Sequence, residues 1–158
     1  MPYNFTKKEH DIQDFWKKEN IFQKSLEKNK HNKPFVFYDG PPFATGSPHY
    51  GHILAGAIKD TICRNAQFND YYVERRAGFD CHGLPVDHIV DKKLGLKNYQ
   101  QIIDYGIKKY NDECRGVVLR CVDEWISTLE RFGRWMDFEN GYKTMDLPYM
   151  ESLWWIFK

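Results

Sequence analysis

An apolar run followed by a loop rich in proline and glycine most constrains how this chain can fold. Residues 35–38 (FVFY) are continuously apolar, which predicts a strand covered on both faces, as in a parallel sheet. Residues 40–48 contain three prolines and two glycines, which end any strand or helix. Apolar residues then recur at helical spacing over 53–66, and 71–76 has strand character. Strand, helix and strand in this order predict the opening of an open α/β sheet.

An N-terminal helical segment is expected before this unit. Thr6 and Glu9 have the spacing of a capping box, and the apolar residues after them favour a helix over residues 6–19. The polar stretch 27–33 is typical of a surface connection. We therefore divide the chain into a helical segment, 1–33, and an α/β segment, 34–158.

The second half of the chain has five further predicted features. Residues 78–85 form a loop at a strand end, and 87–94 form a short helix ended by glycine. A strong amphipathic stripe over 118–129 predicts a long helix. Residues 137–145 are turn-rich, with Asn140-Gly141 a candidate tight turn. An apolar helix over 149–157 stops at the end of the chain, which suggests that the sequence is a fragment.

Composition places few limits on function. A length of 158 residues with 42% apolar content suits one folded domain. The net charge of +1 gives no overall basic field for nucleic acid. The polar start and the lack of a long apolar run argue against a signal peptide or a membrane span. Four cysteines without a CxxC pair indicate reduced thiols, hence a cytoplasmic protein.

Zinc binding is a weak alternative. Cys81, His82 and His88 lie close in sequence, but an adjacent Cys-His without a second spaced pair is a poor ligand set. We predict no metal site.

The candidate catalytic segment is residues 47–52 (SPHYGH), where the first loop enters a helix. Helix N-termini attract phosphate through free N–H groups and the helix dipole. His49 and His52 are three residues apart and share a helical face. Gly51 between them would let a flat base approach the backbone. Two imidazole donors can stabilise charge on phosphates during nucleotidyl transfer. The alternative is that both histidines are ordinary polar surface residues.

Three stretches carry a family resemblance. Residues 37–46 (FYDGPPFATG), running into 49–52 (HYGH), resemble the HIGH region of class I aminoacyl-tRNA synthetases. Residues 78–85 (GFDCHGLP) resemble the GWDxHGLP element of the isoleucyl branch, with Phe79 where tryptophan is usual. Residues 134–155 resemble the isoleucyl stretch before the editing insertion. The resemblance implies the first half of a Rossmann-like (HUP-type) parallel-sheet catalytic domain, interrupted before that insertion.

Site roles follow from the resemblance. His49 and His52 would be catalytic and contact ATP phosphates, and Gly51 would lie beneath the adenosine. Asp80 would hold the ammonium group of the amino acid, a charge-assisted pair. The pocket for the apolar side chain would be lined by Gly40 and Pro41. Without the resemblance, Asp80 could be a loop cap and the other two a plain turn.

The implied parent enzyme is an isoleucine-tRNA ligase. It would form isoleucyl-adenylate from isoleucine and ATP, with Mg²⁺ on the ATP, and then charge tRNA(Ile). We expect a monomeric parent that binds tRNA through domains mostly outside this chain. The second class I motif, KMSKS, occurs nowhere in the sequence, so we expect the isolated chain to be inactive.

Three alternatives stay open. The amino acid could be valine or leucine. The chain could be a non-catalytic module that only binds nucleotides or partners. A small, self-contained HxGH nucleotidyltransferase would fit residues 49–52 but would not explain residues 78–85.

Overall fold

The computed structural model describes residues 3–158, so the first two residues of the predicted helical segment lie outside it. Within this range the chain forms seven helices and a two-stranded sheet. In chain order the elements are α1 (Phe5–Lys18), α2 (Ile21–Lys28), α3 (Tyr50–Phe68), β1 (Arg76–Phe79), α4 (Leu84–Leu94), α5 (Tyr99–Tyr105), α6 (Ile107–Arg131), β2 (Asp137–Lys143) and α7 (Leu147–Phe157).

The chain divides into two compact units. Unit 1 combines the chain up to Asp39 with His49–Arg76 and Thr128–Asp137. Unit 2 combines Gly40–Pro48 with Ala77–Ser127 and Phe138–Lys158. Both units are therefore assembled from segments far apart in sequence.

Helix α1 confirms the first predicted helix but not its cap. The N-cap residue is Asn4, whose side-chain oxygen accepts a 2.9 Å hydrogen bond from the Lys7 N–H. Thr6 lies inside the first turn, so the predicted Thr6–Glu9 capping box is wrong. Asparagine is at least as good a cap as threonine, and it occurs two residues earlier.

The apolar run at 35–38 does not form a regular strand. Pro34 and Tyr72 make an isolated parallel bridge, and the Phe35 N–H donates a 2.8 Å hydrogen bond to the Tyr72 oxygen. Phe35 and Phe37 pack against a buried cluster. The side chains of Val36 and Tyr38 point the other way, and they are 69% and 93% exposed. The expectation of a strand covered on both faces is therefore wrong for this chain, where only one face is packed. The buried cluster consists of Cys63, Ala66 and Val73.

The sheet lies later in the sequence than predicted. Strand β1 begins at Arg76, where the predicted strand ended, and it runs through the first residues of the predicted 78–85 loop. The Thr144 N–H donates a 3.0 Å hydrogen bond to the Phe79 oxygen, and the Asp137 N–H donates to the Arg75 oxygen. Since both partners advance in the same direction, β1 and β2 are parallel.

The predicted tight turn at Asn140-Gly141 is wrong, because both residues lie within β2. A Cβ on Gly141 would lie 3.2 Å from the Cβ of Ala77 on β1. Pairing with a distant strand has overridden the local turn preference of Asn-Gly.

Helices α4, α6 and α7 agree with the sequence, whereas α2 and α5 lie where no helix was predicted. Helix α4 ends at Gly95, which has the left-handed φ of 71° typical of such a C-cap. Helix α6 contains the amphipathic stripe, with Val118, Val122 and Trp125 buried in it. Helix α7 covers the predicted apolar segment.

Candidate functional site

The six predicted site residues fall into two groups. Unit 1 contains the three residues predicted to bind ATP: His49, Gly51 and His52. Unit 2 contains the three residues predicted to bind the amino acid: Gly40, Pro41 and Asp80.

His49 and His52 meet at the start of α3. Their rings stack, with centroids 3.6 Å apart and planes 25° apart. His49 is the N-cap, and its Nδ1 accepts a 3.1 Å hydrogen bond from the Gly51 N–H. In return, His52 Nδ1 accepts a 3.2 Å hydrogen bond from the His49 N–H. The two side chains thus cap the helix reciprocally, much as serine and glutamate do in a capping box.

This capping fixes the tautomer of each neutral ring. A ring nitrogen that accepts a hydrogen bond carries no proton, so each neutral imidazole has its proton on Nε2. Burial, followed by repulsion from His49, lowers the pKa of His52 below its ordinary value of 6.5. His52 is therefore a neutral N–H donor at neutral pH.

Gly51 is packed closely by the first histidine. A Cβ at this position would lie 3.0 Å from His49 Cε1 and 3.1 Å from its Nδ1. A side chain here would push the His49 ring away from its capping position. The glycine therefore protects the geometry of the pair, a constraint the sequence did not show.

Asp80 directly follows β1, and its backbone N–H and oxygen both form hydrogen bonds with the first loop. Its N–H donates to the Pro42 oxygen at 2.8 Å, and its oxygen accepts from the Ala44 N–H at 2.9 Å. On the other side of the strand, Thr144 pairs with Phe79. The carboxyl end of a parallel strand is where α/β sheets bind ligands, so the structure places Asp80 at a suitable position.

The first loop lies beside Asp80 through residues 42–44. Gly40 is exposed, and a Cβ there would contact nothing within 4 Å. Pro41 is half-buried. Packing within the described chain therefore gives no reason for glycine at position 40, and its role stays a prediction.

Two contacts from α6 hold the same loop. The buried indole of Trp125 donates a 2.7 Å hydrogen bond to the Gly46 oxygen. The Ser47 hydroxyl donates to a Glu124 carboxylate oxygen at 3.1 Å. The amphipathic stripe over 118–129 explains why Trp125 is buried, but it gives no sign of this contact with the loop.

Thr144 is a second residue that the sequence did not single out. It is buried, and its hydroxyl lies 3.4 Å from Asp80 Oδ1. No motif includes it, since it lies 64 residues beyond Asp80 along the chain. Only the pairing of β2 with β1 shows the connection.

The candidate zinc ligands do not form a site. Cys81 is buried, and this burial raises the pKa of its thiol, which disfavours the thiolate that binds zinc. Within residues 3–158 no three His, Cys, Asp or Glu side chains gather closely enough to hold a metal ion.

None of the helices described between residues 3 and 158 is long and apolar enough to cross a membrane.

A family model now decides the classification. The model described as tRNA synthetases class I (I, L, M and V) matches residues 11–158. The chain belongs to this family. The resemblance seen at residues 37–52 and 78–85 is thereby confirmed.

Curated members of this class I family match the chain over nearly its whole length. The isoleucine–tRNA ligase of Tetrahymena thermophila is 58% identical over 155 residues, which is 98% of this chain. The enzyme of Chlamydia muridarum is 54% identical over 154 residues, and the cytoplasmic enzyme of Mus musculus 52% over 155. The chain spans only 12% to 15% of the length of these relatives.

A solved class I structure has the same fold. The LeuRS of Agrobacterium radiobacter K84, in a ternary complex with tRNA and LeuAMS, aligns with a TM-score of 0.74 at 19% identity. The alignment covers 99% of this chain and 17% of that one. The predicted fold, part of a Rossmann-like α/β catalytic domain, is confirmed.

Proposed function

We propose that this chain supplies the ATP site and the ammonium site of an isoleucine–tRNA ligase. One observation carries the choice of amino acid: the relatives that are 50–58% identical over nearly the whole chain are isoleucine–tRNA ligases. The wider family also contains leucine, methionine and valine enzymes. The leucine enzyme noted above is only 19% identical to the chain over the aligned residues.

The reaction proposed for the whole enzyme begins with amino-acid activation. A carboxylate oxygen of isoleucine attacks the α-phosphorus of ATP. The bond from that phosphorus to the bridging oxygen breaks, and pyrophosphate leaves. A hydroxyl group of tRNA(Ile) then attacks the isoleucyl carbonyl carbon, its proton is released, and AMP leaves. Mg²⁺ would accompany ATP and neutralise phosphate charge.

The histidine pair would act on the triphosphate. With Nδ1 of each ring accepting a backbone hydrogen bond, the Nε2–H of His49 and of His52 is the donor for phosphate oxygens. Preorganised donors of this kind stabilise charge that grows in the transition state. Gly51 would lie beneath the adenosine.

Asp80 would bind the ammonium group of isoleucine. Its carboxylate is at the end of β1, with its backbone held by Pro42 and Ala44. Gly40 and Pro41, just before that loop contact, would line the pocket for the apolar side chain. Such pockets distinguish aliphatic side chains by only about 1–3 kcal/mol per methylene, so editing by another part of the enzyme is expected.

A segment replacement tests the proposal directly. This chain would replace the 155 matching residues of the Tetrahymena thermophila enzyme, and ATP–pyrophosphate exchange would be measured with isoleucine, valine, leucine and methionine. We expect isoleucine to give the highest kcat/KM. Preference for another amino acid would overturn the specificity, and an inactive chimera that folds and binds tRNA would overturn the catalytic role.

Two variants of that chimera test the site residues. His52→Ala should slow adenylate formation by roughly 10²-fold, as for a lost transition-state donor. Asp80→Asn should mainly raise the KM for isoleucine, because the ammonium would lose its charged partner. An exposed histidine on α4 gives the matched control, since His88→Ala should leave both constants unchanged.

A further inference from the structure

We propose that Thr144 is a positioning residue that sets the direction of the Asp80 carboxylate. This inference rests on the proposed role of Asp80 as the ammonium ligand. It adds a residue from β2 to a site that the sequence motifs confine to residues 40–52 and 78–85.

Three consecutive residues contact the Thr144 hydroxyl oxygen. The Cys81 N–H donates a 2.9 Å hydrogen bond to it. Asp80 Oδ1 lies 3.4 Å away, and His82 Nδ1 lies 3.3 Å away. Thr144 itself is only 6% exposed, and its N–H is paired with the Phe79 oxygen at 3.0 Å. The hydroxyl is therefore fixed in two ways: the Thr144 backbone is bonded to Phe79, and the Cys81 amide donates to the hydroxyl oxygen.

The hydroxyl has a single proton to donate. Because its oxygen accepts from Cys81, that proton must go to Asp80 or, where His82 Nδ1 is unprotonated, to His82. If His82 Nδ1 carries a proton, it can no longer accept from Thr144. His82 Nδ1 then donates to the Thr144 hydroxyl oxygen. In that arrangement the hydroxyl donates to Asp80 Oδ1.

The carboxylate is thereby oriented. Its Oδ1 accepts one hydrogen bond from the Thr144 hydroxyl and one from the His82 N–H, each at 3.4 Å. Among the described residues no hydrogen bond reaches Oδ2. Asp80 would therefore present Oδ2 to the ammonium group while Oδ1 is held by the protein. Both bonds to Oδ1 are long for hydrogen bonds, so they guide the carboxylate without neutralising it.

Two substitutions separate the hydroxyl from the shape of the side chain. Thr144→Val keeps the branched shape and removes the hydroxyl, whereas Thr144→Ser keeps the hydroxyl and removes a methyl group. In the chimera, Thr144→Val should raise the KM for isoleucine about 3- to 10-fold, the range expected for the loss of one weak hydrogen bond. The KM for ATP should stay within about 2-fold, and Thr144→Ser should restore the KM for isoleucine.

Asp80→Asn distinguishes failure of the positioning role of Thr144 from failure of the ammonium role of Asp80. If it raises the KM for isoleucine and Thr144→Val does not, the positioning role is wrong and the proposed function stands. If neither variant changes that KM, the ammonium role of Asp80 is wrong, and this inference fails with it. If Thr144→Val raises the KM for isoleucine and the KM for ATP equally, and Thr144→Ser restores neither, Thr144 has only a structural role.

A measurement on the 158-residue chain itself tests the geometry without catalysis. Amide hydrogen exchange of Cys81 should be faster in Thr144→Val than in the parent chain, and slow again in Thr144→Ser. The Ala44 amide, which bonds to the Asp80 oxygen, is the internal control and should be unaffected. Equal protection of Cys81 in all three chains would refute the hydrogen bond on which the inference depends.

Discussion

The indole N–H of Trp125 donates a 2.7 Å hydrogen bond to the carbonyl oxygen of Gly46. One buried side chain of α6 thus holds the proline- and glycine-rich loop of unit 2. The loop has few other means of fixing its backbone, because three prolines lack an N–H.

Trp125→Phe should lower the free energy of unfolding by about 0.5–1.5 kcal/mol, the usual net contribution of one intramolecular hydrogen bond. Urea denaturation followed by circular dichroism measures this. Trp154 on α7 is 69% exposed, and Trp154→Phe should change stability by less than about 0.5 kcal/mol. Equal effects of the two variants would show that the Gly46 contact contributes nothing.

Asp60→Asn should destabilise unit 1 strongly. Asp60 accepts from Arg64 at 2.6 Å, from Arg75 at 3.4 Å and from the Trp135 N–H at 3.2 Å. The Arg75 side chain is only 4% exposed, so removing its counter-ion leaves a buried charge unpaired. The expected loss is about 3–5 kcal/mol by denaturant unfolding.

A surface pair is the matched control for Asp60. Asp11 pairs with Lys7 at 3.0 Å but is 46% exposed. Asp11→Asn should therefore cost less than about 1 kcal/mol. If Asp60→Asn also lowered the free energy of unfolding by less than about 1 kcal/mol, Arg75 would have a sufficient partner other than Asp60.

The stability of the chain should fall as the pH drops below 6.5. Burial and His49 lower the pKa of His52 in the folded state from its ordinary value of 6.5. The unfolded chain therefore binds this proton more readily, and acid favours unfolding. The melting temperature at pH 7.5 and at pH 5.5 measures the effect.

His52→Gln should reduce this pH dependence. A glutamine at the third helical position can accept the N-cap amide as in a capping box, and it does not titrate. His31→Gln, at an exposed histidine outside the helices, should leave the slope as it is in the parent chain. If His52→Gln also leaves it unchanged, the acid sensitivity comes from other groups.

Asn4→Ala should cost about 1 kcal/mol of stability through loss of the α1 cap. Thr6→Ala should cost almost nothing, because Thr6 lies inside the helix, where alanine is favoured. Thermal unfolding of the two variants distinguishes the observed cap from the predicted capping box. A larger loss for Thr6→Ala would restore the sequence-based assignment.

The sequence by itself determined the features that depend on neighbouring residues. Helical periodicity located α3, α6 and α7, and glycine marked the end of α4. The motifs at 37–52 and 78–85 identified the family, because their residue types and order are unusual. Local chemistry was sufficient for all of these.

Only the tertiary structure decided the features that depend on distant pairing. Asn140-Gly141 has the composition of a turn but lies in β2, since β1 provides a parallel partner more than 60 residues away. The same pairing brings Thr144 to Asp80. Likewise, the apolar run at 35–38 could not show that only one of its faces is packed. Burial and strand pairing are set by the whole chain, so no local pattern could determine them.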